Sequence, residues 1–154
     1  MANSDNKCAD LEVKDFFTGT VDTLGLILDS QRKFQERLGF DFKGMTLKQI
    51  AEFWMVNKHA MSDELNEMFD ALGGIEDGIG SAAWKYWKSD NIKAGDMTVD
   101  DLSDRDQLEL FYEWIDGLKF YLNFGLSIGL ISKDIVNLFM SKSAENTRRQ
   151  DTGY

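Results

Sequence analysis

The sequence predicts an all-α fold on three observations. It has no proline in 154 residues, it is 43% hydrophobic with 12% aromatics, and its apolar residues recur at a 3.6-type spacing over long stretches. The length suits one domain, residues 1–154, large enough to bury a real core. The elements add up to a helical bundle of four main helices plus a short one.

The first core helix is read in "VDTLGLILDSQRKFQERLG", where Val21, Leu24, Leu28, Phe34 and Leu38 form a stripe that Gly39 ends. "TLKQ" then has the form of a capping box, with Thr46 as the cap and Gln49 reaching back. The second helix follows it, with Leu47, Ile50, Trp54, Met61, Leu65, Met68 and Leu72 along one side and a stop at Gly73 and Gly74. "GGIEDGIGS" reads as a loop, "AAWKYWK" as the short helix with its tryptophans inward, and "SDNIKAGDMTVDD" as a second loop. From Ser103, "SDRDQLELFYEWIDGLKFYLNFGLSIGL" is apolar nearly all round and is expected to be buried. Ser132 is placed as the cap of the last helix, through "KDIVNLFMSKSAEN".

Charge and composition exclude several functions. A net charge of −10 argues against a nucleic-acid polymer as partner, because phosphate backbones are bound by clustered cations. A small anionic ligand would need a few well-placed Lys/Arg residues or a bound cation to reverse the field locally. The apolar run "FGLSIGLI" is far shorter than the ~20 residues that span a bilayer and reads as core, so no membrane role is expected. A single cysteine, Cys8, and the polar start "MANSDNKCAD" fit a reducing cytoplasm.

Two acidic pairs stand where core is expected. "ELNE" supplies Glu64 and Glu67, and "EWID" supplies Glu113 and Asp116, each pair on one side of a helix at i, i+3. Burying ionised carboxylates costs several kcal/mol each, and two of them ~4 Å apart add roughly 4 kcal/mol at an effective dielectric of ~20. If they are buried, they are protonated, paired with Lys/Arg, or ligating a hard cation; on spacing alone, acids that are solvated or paired with surface lysines are the alternative. All-oxygen ligation favours magnesium or manganese. A di-iron bundle would want a Glu-x-x-His pair, and the only histidine is His59.

The last helix changes character along its length. The stripe Ile135, Leu138, Phe139, predicted to face inward, continues into Lys142, Asn146 and Arg149, a set suited to phosphates. A snorkelling or disordered terminus is the alternative. Lys119, one turn beyond Asp116, is either a salt-bridge partner for the acids or a substrate contact. The tryptophans of "WKYWK" read as core or as a base-stacking platform.

On these residues the sequence resembles the all-α nucleotide pyrophosphohydrolases of the MazG-like superfamily, namely the dimeric dUTPases and, more closely, the bacteriophage dCTP pyrophosphatases that also take dUTP. The resemblance is carried by "LDSQRKFQERL", "DELNEMFDALGG", "WKYWK", "DLSDRDQLELFYEWID" and "KSAENTRRQDTGY", from about Leu28 onward. It implies that Glu64, Glu67, Glu113 and Asp116 hold Mg²⁺, with Mn²⁺ as the alternative, and that Lys142, Asn146, Arg149 and Tyr154 contact a deoxypyrimidine nucleotide. Gln35 matches a glutamine that helps recognise the base. The resemblance also implies a homodimer, and a place in the host cytoplasm for a phage-encoded chain.

Two positions depart from the family pattern. Ser143 stands where an asparagine is common, and Lys119 stands where a histidine is common, toward the base or sugar. dUTP and dCTP both remain open as substrates. The expected reaction is Mg²⁺-dependent conversion of either to the monophosphate and pyrophosphate, with Glu67 orienting the water and Lys142, Arg149 and Lys119 among the substrate contacts. A non-enzymatic acidic helical protein, an interaction or inhibitor module, is the alternative; it predicts no response to magnesium.

Overall fold

The computed structural model describes residues 22–73 and 97–153. These form four helices, α1 (Thr23–Arg37), α2 (Leu47–Ala71), α3 (Asp104–Ser127) and α4 (Ser132–Asp151), with a 3-10 turn at Val99–Asp101 and no strand among the described residues. The all-α class holds. The short helix read in "AAWKYWK" and the terminal Tyr154 lie outside the described residues.

Local chemistry sets the helix ends. Asp22 caps α1, its Oδ1 accepting from the Gly25 amide at 2.9 Å. Gly39, at φ 89°, ends α1, with the Gly39 and Phe40 amides donating back to the Glu36 and Gln35 carbonyls. The Thr46–Gln49 box forms as expected: Gln49 Oε1 accepts from the Thr46 amide at 2.9 Å and the Gln49 amide donates to Thr46 Oγ1 at 3.3 Å. Ser103 Oγ accepts from the Asp106 amide at the start of α3.

Two expectations change here. Ser132 is not the cap of α4 but its first residue; Ile131 occupies the cap position and its amide donates to the Asp134 carboxylate. The Ser132 hydroxyl is engaged elsewhere, donating to Asp22 Oδ2 and so tying the start of α4 to the start of α1. Within the predicted loop, Thr98 and Asp101 close a turn of their own, the Thr98 amide donating to Asp101 Oδ2 at 2.7 Å.

The chain divides into two compact units. In the first, whose described residues are 55–73 and 97–121, Ala71, Leu102 and Leu110 form a small buried cluster with Met68 and Met97 against it. In the second, 22–54 and 122–153, Leu28, Phe53 and Leu126 are buried, and Phe40 and Phe42 pack on Phe53 at ring-centroid distances of 4.9 and 5.4 Å. Trp54 stands edge-on to Phe124 and donates its indole N–H to Ser127 Oγ at 2.7 Å. A buried amide pair joins α1 to α3, Gln31 Nε2 donating to Asn123 Oδ1 at 2.9 Å.

Much of the predicted core is exposed. Phe34, Leu38, Leu47, Trp54, Leu65, Leu72, Trp114, Leu138 and Phe139 all face out, Leu47 at 85% and Phe139 at 69% exposure. Of "FGLSIGLI", Leu126 is buried while Ile128 and Ile131 are not. What α3 buries is largely polar: Asp106, Glu109, Glu113, Asn123 and Ser127. Periodicity locates an apolar stripe but not the surface that covers it, and here the stripes of single helices are only partly covered among the described residues. No single described helix is long and apolar enough to cross a membrane.

Candidate metal centre

In the first unit α2 and α3 bring three carboxylates together. Glu64 and Glu67 stand one turn apart on α2, Glu113 projects from α3, and one oxygen from each lies within 4.8 Å of the others. The i, i+3 spacing puts the α2 pair on one side of the helix. The approach of α3 is close at this level: a Cβ added to Gly117 would lie 4.0 Å from Glu64 Cβ.

The three differ in exposure. Glu113 is buried at 6% exposure, Glu64 is half-buried and Glu67 is exposed. Burial raises the Glu113 carboxyl to about 7, with Glu67, Glu109, Glu64 and Asp116 adding repulsion. Glu64 is also raised, by burial first and then by Glu67, Asp116 and Asp63, while Lys119 opposes the shift. No lysine or arginine pairs with any of the three among the described residues. For the buried Glu113 that leaves, among the described residues, protonation or cation binding, while the exposed Glu67 is also reached by water. A set of carboxylate oxygens with like charges at this range and no nitrogen or sulfur donor fits a hard divalent cation of the magnesium or manganese type.

The fourth predicted acid stands apart. Asp116 is half-buried and its Oδ1 accepts from Lys119 Nζ at 2.7 Å, so the salt-bridge reading of Lys119 is the geometry found. Asp116 still contributes to the field at Glu64 and Glu113.

The remaining predicted residues belong to the second unit. Gln35 is buried on α1. The tail is helical rather than frayed, since α4 runs to Asp151; Lys142 and Asn146 on it are exposed and Arg149 is half-buried. Arg149 Nε donates to Glu145 Oε1 at 2.8 Å, and Glu145 also holds Arg148 through two contacts at 2.8 and 2.9 Å. Those arginines lower the Glu145 carboxyl, Arg148 most strongly.

The sequence reading missed the buried acids Asp106 and Glu109, the Gln31–Asn123 pair, and Glu145. A signal for the first two existed. Asp106, Glu109, Glu113 and Asp116 follow one another at steps of three, four and three, a helical period written in acids rather than in apolar residues.

No protein-family model matches the chain, and no solved structure does. Known proteins do match. The chain is 35% identical over 144 residues to a dCTP pyrophosphatase of Enterobacteria phage LZ5, covering 87% of this chain and 84% of the relative. It is 32% identical over 167 aligned positions to a dCTP pyrophosphatase of Enterobacteria phage T4, covering 97% and 98%. A T4 protein named a DNA replication protein is 30% identical over 156 positions, covering 90% of this chain but 40% of that one.

Proposed function

This chain belongs to the phage dCTP pyrophosphatase family, and from that premise we propose that it hydrolyses dCTP, and dUTP beside it, to the nucleoside monophosphate and pyrophosphate with Mg²⁺ as the metal. The observation that carries the reading is the Glu64–Glu67–Glu113 cluster, three converging carboxylates with no cationic side chain paired to them among the described residues. Glu64, Glu67 and Glu113 would hold the ion, with Asp116 as a further ligand. A divalent ion there would offset triphosphate charge and make a coordinated water more acidic.

The chain's own residues do the rest. Glu67, the most exposed of the three, orients the attacking water and takes its proton as the oxygen bonds to the α-phosphorus. The α–β bridging bond breaks and pyrophosphate leaves with its electron pair. The remaining roles rest on the matched tail pattern and "LDSQRKFQERL". Lys142 and Arg149 offset charge on the phosphates; Gln35, Lys119, Asn146 and Tyr154 contact the rest of the nucleotide.

The working form in this proposal is a homodimer in the host cytoplasm. Support for the dimer comes from the exposed apolar side chains on α4, Val136, Leu138, Phe139 and Met140, a surface a partner copy could cover. Light scattering behind gel filtration reads the mass. The activity is tested by pyrophosphate release across the dNTPs and dNDPs, with and without magnesium. Release from dCTP and dUTP only with the metal supports the proposal; no release from any nucleotide, with no response of stability to magnesium, returns the chain to a non-enzymatic acidic module.

A further inference from the structure

We infer that Lys119 is a tethered counter-ion that competes with the divalent cation for Asp116 and so sets the metal affinity of the free protein; the inference rests on the metal-centre reading above. Lys119 Nζ lies 2.7 Å from Asp116 Oδ1, one turn away on α3, and Asp116 is thereby held by a cation that belongs to the chain. Asp116 has a second tie to the cluster, through the repulsion it exerts on Glu64 and Glu113. Lys119 is the cation that opposes that repulsion at Glu64. A metal recruiting Asp116 must therefore displace an ammonium already seated there, and must also bind within the field of that positive charge.

The seat is built to be given up. Lys119 is half exposed on a flexible stem, and an ammonium is strongly hydrated, so water compensates it on leaving. An exposed i, i+3 pair of this kind contributes little by itself, which makes it a displaceable stand-in rather than a lock. Among the described residues Glu64, Glu67 and Glu113 carry no such paired cation, so the direct competition is for Asp116, while the Lys119 charge also acts on Glu64 through space.

Mn²⁺ titration without nucleotide, with free Mn²⁺ counted by its paramagnetic resonance signal, reads the effect independently of turnover. Lys119→Gln keeps the length and removes the charge, and is expected to tighten Mn²⁺ binding about three- to tenfold, the range of one exposed ion pair plus one removed like charge. Lys119→Arg stays within about twofold of the parent, since it retains a cation able to pair with a carboxylate. Introducing Lys119→Gln into Asp116→Asn should give less than half of that gain. Unchanged or weaker Mn²⁺ binding in Lys119→Gln overturns the inference and leaves the metal centre standing, as does a gain that persists in full without the Asp116 carboxylate. A parent protein that binds no Mn²⁺ overturns both.

Discussion

Glu113→Gln tests the electrostatics of the cluster without any substrate. Folding raises the Glu113 carboxyl from 4.5 to about 7, so the folded chain holds that proton more tightly than the unfolded chain does. By linkage, the cost of the ionised group is absent below pH 4.5, grows as pH rises, and is complete above about 7. The gap, 7 − 4.5, is about 2.5 pH units, and at about 1.4 kcal/mol per unit its ceiling is roughly 3 to 4 kcal/mol. Water reaching the exposed Glu67 side of the cluster screens part of this, which leaves about 1–2 kcal/mol. Urea denaturation in chelator at about pH 8 should show the glutamine variant more stable than the parent by that amount. At about pH 4.5 the difference should shrink toward zero. Magnesium should stabilise the parent at pH 8 and the variant less, because the ion takes the place of the missing proton. A variant less stable than its parent at pH 8 in chelator, or a difference that does not change with pH, would refute the reasoning.

Other perturbations reach the rest of the account. Glu67→Gln should lower turnover by at least about a hundredfold, the usual worth of a positioned base, while equilibrium binding of a non-hydrolysable dCTP analogue stays within a few-fold. Gln31→Ala removes a buried donor from Asn123 Oδ1 and should cost about 1–3 kcal/mol in denaturant midpoint measurements. Asp22→Ala removes the α1 cap and the tie to Ser132 together, and should lower the thermal midpoint more than Ser132→Ala does. Deletion from Lys142 onward should abolish nucleotide binding while far-UV circular dichroism shows the shorter helical complement intact.

The parts of the fold legible in the sequence were those whose causes are local. The Thr46–Gln49 box and the stop at Gly39 need only residues a few positions apart, and both form where they were read. The α4 cap was misread because the Ser132 hydroxyl is taken by Asp22, 110 positions away, a partner no local pattern reveals. Trp114, Leu138 and Phe139 have the right spacing for a core and are exposed, since burial depends on what lies opposite a stripe. The carboxylates were legible for the opposite reason. An acid at i, i+3 within apolar surroundings has few inexpensive explanations, and Glu64, Glu67 and Glu113 do converge. Their depth was not legible: Asp106 and Glu109 look like ordinary surface residues until α3 is seen to bury its acidic side.

The central claim is that this carboxylate cluster makes the chain a metal-dependent dCTP pyrophosphatase. The most direct measurement follows dCMP and pyrophosphate from dCTP in one assay, first in chelator and then with magnesium restored. The account predicts no product in chelator, and equal amounts of dCMP and pyrophosphate once the metal returns. Hydrolysis that continues in chelator, or products that are dCDP and phosphate, would contradict it.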